Sequence, residues 1–392
     1  MDLGIFENFY PGKDRLGTHS TSLALLMLRA DASLRLHLAV PRGSEWPDGF
    51  ARDRVEFRPG WRHDAPTEMA REAAALARSL DRDARILFNW FPTCFGETRA
   101  ANATGMLLPA LVRLIHREAP WVYAHNFIET QDVGRLGYRP GRGERVALAT
   151  FERSLLRAAR VIVPLESQRR SVGSVFGRTV VAGPVPFVEA LYGHWVHQAF
   201  PGRSFGSTIP ARKRFRILLF GVWGPAKDLP SVLPVLDGLY RSGHEFETVF
   251  AGSFNRFFPD YRAKLGKALS SLPAEYCHFV SEPPDEATPE LFGSSDLVIL
   301  PYNAIAGPSG VMGLAAFHGC RIVAYDVPEL REYDAILKGR TVFVESGNRP
   351  ALSEAVLRCL SGEVRGSDEP AESKVGRAVD AAARVLRTIE NG

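Results

Sequence analysis

Three short stretches carry residue types suited to holding an anion or moving a proton. One is Pro308-Ser309-Gly310-Val311, set between an apolar run at Leu297–Leu300 and a helical pattern over Gly310–Phe317. A helix start leaves backbone N–H groups unpaired at the positive end of the helix dipole. Glycine there lets a phosphate come close to the backbone, so this loop is a candidate phosphate or diphosphate site. Another is FGVWGPAKD, Phe220–Asp228, which follows the strand-like run Arg216–Phe220 and precedes a helical pattern over Pro230–Arg241. It offers Gly221, Gly224 and Lys227, the last a natural point charge for a phosphate. The remaining one is Tyr123-Ala124-His125-Asn126, closing the run Val122–His125. A neutral imidazole at a strand end can hydrogen-bond a hydroxyl or take a proton.

The elements that must position these loops alternate along the chain. In the first half, strands are predicted at Leu34–Val40, Arg85–Asn89, Val122–His125, Arg160–Val163 and Thr179–Ala182. Helical patterns fall between them at Ser20–Leu28, Thr67–Leu80, Gly105–Arg117 and Arg145–Ala158. A second series begins at Arg216 and ends with a helix at Arg349–Leu360, a polar stretch to Lys374 and a helical pattern over Val375–Ile389. Such alternation predicts parallel sheets with crossover helices. Between the series, Gly183-Pro184-Val185-Pro186 and then Ala199–Arg212 are rich in Pro, Gly, Ser and Arg and read as the passage between domains. The expected division is a first domain over 1–195, a second over 213–365, and a tail with a helix over 366–392 that packs back near the first. In doubly wound sheets ligands bind beyond the carboxyl ends of the strands, which is where all three loops stand.

Bulk composition sets outer limits. A length of 392 residues exceeds one ordinary core, and 45% hydrophobic with 23% charged residues is a folded composition. Cys94, Cys277, Cys320 and Cys359 form no CxxC pair, which argues against a zinc site or a disulfide framework and suits a reducing compartment. No acidic metal-ligand cluster such as DxD ends a strand, and the metal expectation is none. The opening residues lack the pattern of a secretory signal, and no apolar window is long enough to span a membrane, so a cytoplasmic protein is expected, with its inner membrane face as one location. Residues 1–200 carry 26 Lys+Arg against 21 Asp+Glu, and the remainder 22 against 23. That mildly basic first half would suit an anionic surface or substrate. The excess is too small, and too poor in interleaved aromatics, for a nucleic-acid binder.

With these residues in place, the chain from about Val122 to Leu360 resembles the GT-B glycosyltransferases, close to the GT4 family (glycosyl transferases group 1). Many members read G-R-L-x-x-x-K-G where this chain has Gly221-Val222-Trp223-Gly224-Pro225-Ala226-Lys227-Asp228. Ser294-Ser295-Asp296-Leu297-Val298-Ile299-Leu300-Pro301 and Leu314–Ala324 resemble two further family segments. The resemblance implies an α/β chain of two Rossmann-like doubly wound domains facing across a cleft. It implies metal-independent transfer of a sugar from a nucleotide-sugar donor to a glycan, lipid-linked or small-molecule acceptor, without a cofactor and with retention at the anomeric carbon. Peripheral membrane contact would accompany a lipid-linked acceptor.

The same resemblance assigns roles. His125 matches a histidine beside the donor sugar and is the candidate catalytic residue. Gly221, Lys227, Ser309, Gly310 and Val311 would bind the donor diphosphate. Arg15, Gly17, Thr18, His19 and Asn126 are candidate contacts to a phosphate or the acceptor, and Val280, Ser281 and Glu282 to the nucleobase. Val222 replaces the family's arginine, and Ala306 and Leu314 replace the two glutamates of its E-x7-E pair. Two alternatives therefore stand beside transfer: a non-catalytic GT-B protein that binds a partner or sugar nucleotide, and a nucleotide-sugar epimerase.

Overall fold

Runs such as Ile217–Phe220, Leu297–Leu300 and Ile322–Tyr325 are buried on both faces, the requirement of a parallel sheet covered by helices on each side. A computed structural model of the chain describes all residues except 9–15, 48–49, 92–93, 132, 138, 200–210, 213, 256–257, 270–271, 285–286 and 306. It divides into two compact units: Met1–Gln131, Pro140–Ala199 and Val375–Gly392 form one, and Asp132–Arg139 with Phe200–Lys374 the other.

The first unit runs β1 (Asp2–Phe6), α1 (Leu16–Ala30), β2 (Arg35–Pro41), β3 (Val55–Trp61), α2 (Pro66–Ser79), β4 (Arg85–Trp90), α3 (Arg99–Ile115), β5 (Trp121–Ala124), α4 (Arg142–Ala158), β6 (Arg160–Val163), α5 (Glu166–Phe176), β7 (Val181–Ala182) and α6 (Val188–Ala199). Its strands pair in parallel in the order β3-β2-β1-β4-β5-β6-β7. Phe6, Trp61, Phe88, Trp90, Phe95 and Phe127 fill one side of this sheet, with Phe6 stacked on Trp61 at 5.2 Å.

The second unit runs β8 (Phe215–Trp223), α7 (Leu229–Arg241), β9 (Phe246–Phe254), α8 (Pro259–Leu269), β10 (Cys277–Ser281), α9 (Thr288–Gly293), β11 (Leu297–Leu300), α10 (Gly310–Phe317), β12 (Arg321–Tyr325), α11 (Pro328–Leu337), β13 (Val342–Val344) and α12 (Arg349–Leu360). Its parallel order is β10-β9-β8-β11-β12-β13. At its base Arg216 and Glu247 form an ion pair at 2.6 Å, both almost wholly buried. Both units are thus doubly wound, and the strand order reverses between β1 and β4 in one and between β8 and β11 in the other.

The last helix, α13 (Ala371–Asn391), runs from the second unit into the first. It buries Ala378, Ala381, Ala382, Val385, Leu386 and Ile389, a stripe at helical spacing. Arg85 donates to the carbonyls of Ile389 and Glu390.

Several sequence expectations need correction. The segment after Met1 is a central strand, β1, and Gly4 is its device: a Cβ there would stand 2.5 Å from Leu80. The edge strand β3, VEFRPGW, was hidden by its proline and charges, which suit an edge. Helix α3 starts at Arg99, six residues before the predicted Gly105, because Thr98 caps it by accepting from the Ala101 N–H. Gly183–Pro186 lies inside the first unit, not between domains: Gly183 N–H donates to Val163 and its carbonyl accepts from the Tyr123 hydroxyl. Most of Ala199–Arg212 lies outside the described residues. All four cysteines are free and buried. Among the described residues no helix is long and apolar enough to cross a membrane.

Candidate functional site

In the second unit, the residues predicted to hold a diphosphate gather where β8 and β11 diverge. Gly221 and its neighbour across the ladder, Gly252, both adopt left-handed backbone, with φ of +119° and +135°. A Cβ on Gly252 would stand 2.0 Å from the Gly221 carbonyl oxygen. A Cβ on Gly221 would stand 2.5 Å from Lys227 Nζ and 3.9 Å from Val311 Cγ2. The bare backbone at Gly221 therefore makes room for the ammonium group, which donates to the Phe220 carbonyl at 3.3 Å. That ammonium also lies 4.9 Å from the Trp223 ring and 5.1 Å from the Tyr302 ring, within cation–π range.

The loop that carries Lys227 is laced to the loop after β11. Asp228 N–H donates to Pro301 at 2.7 Å, and Asn303 N–H donates to Ala226 at 2.9 Å. Asp228 caps α7 through Ser231 N–H and accepts from the Tyr325 hydroxyl. Tyr261 donates its hydroxyl hydrogen to the Lys227 carbonyl. Ser309 caps α10: its Oγ accepts from Met312 N–H at 3.1 Å. That cap uses the serine side chain, so the anion-binding capacity of this helix end rests with the first-turn N–H groups of Gly310 and Val311.

The nucleobase candidates are arranged less favourably. Val280 is buried, Ser281 and Glu282 are exposed, and Glu282 N–H already donates to the Gly252 carbonyl at 3.0 Å. Val222, at the family's arginine position, is 53% exposed and brings no charge.

In the first unit a second cluster forms at the β1/β4 reversal. Glu7 follows β1, Asn89 is the last residue but one of β4, His125 follows β5, and His19 with Ser20 come from the first turns of α1. Asn89 Oδ1 lies 2.7 Å from His125 Nε2, and Asn89 Nδ2 donates to Ser20 Oγ at 2.6 Å. The His19 and His125 rings meet edge to face at 4.4 Å. The Glu7 carboxyl is buried beside Ser20 and Asn89, and its Oε1 has no hydrogen-bond partner among the described residues. Burial pushes its carboxyl well above the usual range, against the smaller pull of those two polar neighbours. Burial likewise lowers His125 to about 4, and burial with the neighbouring His125 holds His19 well below its ordinary value. At neutral pH both imidazoles of the cluster are uncharged, and burial favours the neutral form of the Glu7 carboxyl. His19 thus has no charge to offer a phosphate.

The backbone around His125 is fixed on all sides. His125 N–H donates to Trp90 at 3.0 Å, and its carbonyl accepts from Gln168 Nε2 at 2.7 Å. Just beyond, the Glu152 carboxylate accepts from Ile128 and Glu129 N–H, at 2.6 and 3.2 Å. Gly17 and Thr18 lie in the first turn of α1, where Thr18 is buried and the Gly17 carbonyl accepts from Thr21 Oγ1. Asn126 is buried beside His125, and its Oδ1 has no hydrogen-bond partner among the described residues. Arg15 lies outside the described residues. Glu7, Ser20 and Asn89 were missed from sequence, although Asn89 closes a strand that was read and so already held the position where such sheets bind ligands. Among the described residues no group of three His, Cys, Asp or Glu could hold a metal ion.

No family model matches the chain, and no curated protein matches it by sequence. Solved structures do match. HepE of Anabaena in complex with UDP-glucose is 12% identical, with TM-score 0.62 over 100% of this chain and 97% of that one. An α,α-trehalose-phosphate synthase (UDP-forming) from Burkholderia xenovorans, in complex with glucose-6-phosphate, is 12% identical, with TM-score 0.61 over 100% of each chain. WaaG, a glycosyltransferase of lipopolysaccharide biosynthesis, is 14% identical, with TM-score 0.54 over 99% and 95%. The chain has the fold of these glycosyltransferases, GT-B, with its two Rossmann-like parallel sheets.

Proposed function

We propose that the chain is a glycosyltransferase that takes its sugar from a nucleotide-sugar donor. The observation that carries this reading is the convergence of Gly221, Lys227 and Val311 where β8 and β11 part. Lys227 and the first N–H groups of α10 would meet the diphosphate and stabilise its growing charge as the sugar leaves. A lysine and a helix end can fill the role that a metal ion has elsewhere, so transfer is proposed to proceed without added metal or cofactor. His125, uncharged at neutral pH, would accept a hydrogen bond from a sugar hydroxyl. UDP-sugars are the first donors to try, since the HepE structures hold UDP and UDP-glucose. Retention at the anomeric carbon belongs to the same reading. Cysteine usage favours the cytoplasm.

The acceptor would be a glycan, a small molecule or a lipid-linked sugar. A surface feature of the first unit suits the last. Arg142, Arg145, Val146, Arg153 and Arg157 share the exposed face of α4, and α3, packed beside it, exposes Leu107 and Leu114. Cations with exposed aliphatic side chains fit the inner, anionic face of a membrane.

A second reading, binding without transfer, is favoured by one detail. Leu314, at the second glutamate position, is packed in the core at 5% exposure, so α10 sends no carboxylate toward a ribose. Thermal unfolding with UDP-, GDP-, ADP- and dTDP-sugars tests the donor site, because a ligand of the folded state must raise Tm. A rise with one nucleotide class, lost in Lys227→Ala, is expected. No rise with any donor at millimolar concentration would overturn the proposal. Product analysis with the stabilising donor then separates transfer from epimerisation and from binding alone.

A further inference from the structure

We infer that Asn89 is a positioning residue that fixes His125 as its Nε2–H tautomer, leaving Nδ1 as the ring's only acceptor. Asn89 is wholly buried, so each of its polar atoms needs a partner inside the protein. Its carboxamide has two N–H hydrogens and one oxygen. The Nδ2 side faces Ser20 Oγ at 2.6 Å and His19 Nδ1 at 3.4 Å. Among the described residues the Oδ1 side faces only His125 Nε2, at 2.7 Å.

With the oxygen toward His125, both N–H hydrogens find acceptors and Oδ1 receives one hydrogen. Turned over, the amide would point one N–H at His125 and its oxygen at Ser20 Oγ and His19 Nδ1, leaving the other N–H of this buried group without an acceptor among the described residues. The satisfied arrangement requires a hydrogen on His125 Nε2, since a carbonyl oxygen cannot donate. Two further features serve the same end. Ser20 Oγ, on α1, holds the amide from the side opposite His125. The fixed backbone at both ends of His125 keeps the ring in register with Asn89.

The consequence for ligands rests on the function proposed above. A bare Nδ1 accepts a hydrogen bond from a hydroxyl and gains nothing from a diphosphate oxygen, which carries no proton. His125 is thereby suited to a sugar rather than to the phosphates. The tautomer itself is independent of that reading, and so is its test.

The test is nitrogen-15 NMR of the full chain labelled at histidine, without ligand, at neutral pH. Ten histidines contribute, and the His125 signals are identified as those missing in His125→Gln. The expected result is a single form, with a slowly exchanging proton on Nε2 and a bare Nδ1. Substituting Asn89→Leu, of similar size without polar atoms, should abolish the slow exchange and admit the Nδ1–H form. A proton on Nδ1 in the wild type, or a mixture of tautomers, would overturn the inference. So would Asn89→Leu with an unchanged His125 spectrum, as expected if Asn89 only fills space. Should that variant fail to fold, the wild-type spectrum decides alone. A locked Nε2–H with no donor raising Tm would leave the tautomer standing and remove only the glycosyltransferase reading.

Discussion

Gly221 and Gly252 pair with one another across the ladder, share left-handed backbone, and should respond differently to the same added methyl group. A non-glycine residue at such φ values costs about 1–3 kcal/mol. At Gly252 the new Cβ meets the Gly221 carbonyl oxygen at 2.0 Å. That atom is backbone in a central strand and cannot swing aside, so overpacking adds about another 1–3 kcal/mol. Gly252→Ala should therefore lose about 2–6 kcal/mol of stability, the sum of the two costs. At Gly221 the obstructing atom is Lys227 Nζ at 2.5 Å, the far end of a flexible side chain. The ammonium must retreat by roughly 1 Å to restore an ordinary contact. Gly221→Ala should therefore lose only the backbone cost of about 1–3 kcal/mol. It should also displace the charge proposed to face the donor. A charge-assisted hydrogen bond is worth about 1.5–3 kcal/mol, so affinity for the stabilising nucleotide sugar should fall about 10- to 150-fold. Urea unfolding gives the first quantity and calorimetric titration the second. Because Gly221 acts through Lys227, the binding losses of Gly221→Ala and Lys227→Ala should not add in the double variant. Additive losses, or full affinity in Gly221→Ala, would refute the geometry argued here.

Other consequences are open to direct measurement. Burial raises Glu152 to about 7 from an ordinary 4.5; a raised carboxyl stabilises the fold at low pH and loses that contribution as pH climbs through the folded value. Urea unfolding of wild type against Glu152→Gln should show the wild type losing about 2 kcal/mol more between roughly pH 5 and 7.5, and parallel curves would contradict this. The buried Arg216–Glu247 pair predicts that Glu247→Gln costs about 3–5 kcal/mol, whereas replacing both partners by apolar residues costs far less; equal losses in chemical unfolding would be the contrary result. Exposed arginines on α4 predict co-sedimentation with vesicles containing anionic phosphatidylglycerol, reduced by added salt and by Arg145→Glu with Arg153→Glu; equal pelleting with neutral vesicles would argue against an electrostatic surface.

Much of this architecture was legible because buried parallel strands are dense apolar runs. Leu297–Leu300 and Arg160–Val163 were read to the residue. The loop Phe220–Asp228 was marked by its glycines and lysine, and the structure sets Gly221 beside the Lys227 ammonium. What stayed hidden depended on partners distant in sequence. Asp2–Phe6 has only one turn of pattern, and its status as a central strand comes from pairing with β2 and β4 on either side. With β1 unseen, Glu7 was an unremarked charge near the chain start rather than a carboxyl at a sheet reversal. Asn89 and Ser20 were missed for a related reason: their chemistry lies in what they touch, and no local spacing records a contact between α1 and β4. His19 is a candidate phosphate or acceptor contact while it is placed in a loop ahead of a helix from Ser20, and the observed helix start buries it.

The path of the chain through its two units bears on how the protein is made. Arg85 on β4 is bonded to Ile389 on α13, 304 positions later. Everything from Phe200 to Lys374 must leave the ribosome before the first unit can acquire its final helix. The second unit is nearly continuous in sequence and can fold as soon as it emerges, while the first waits with the surface that will receive Val385, Leu386 and Ile389 still wet. Domains usually fold in order of synthesis. Here the order is interleaved: the earlier-born unit is the later-finished one. The nascent protein passes through a stage at which an apolar strip stands open to chaperones, or to another copy of itself, until the closing helix arrives.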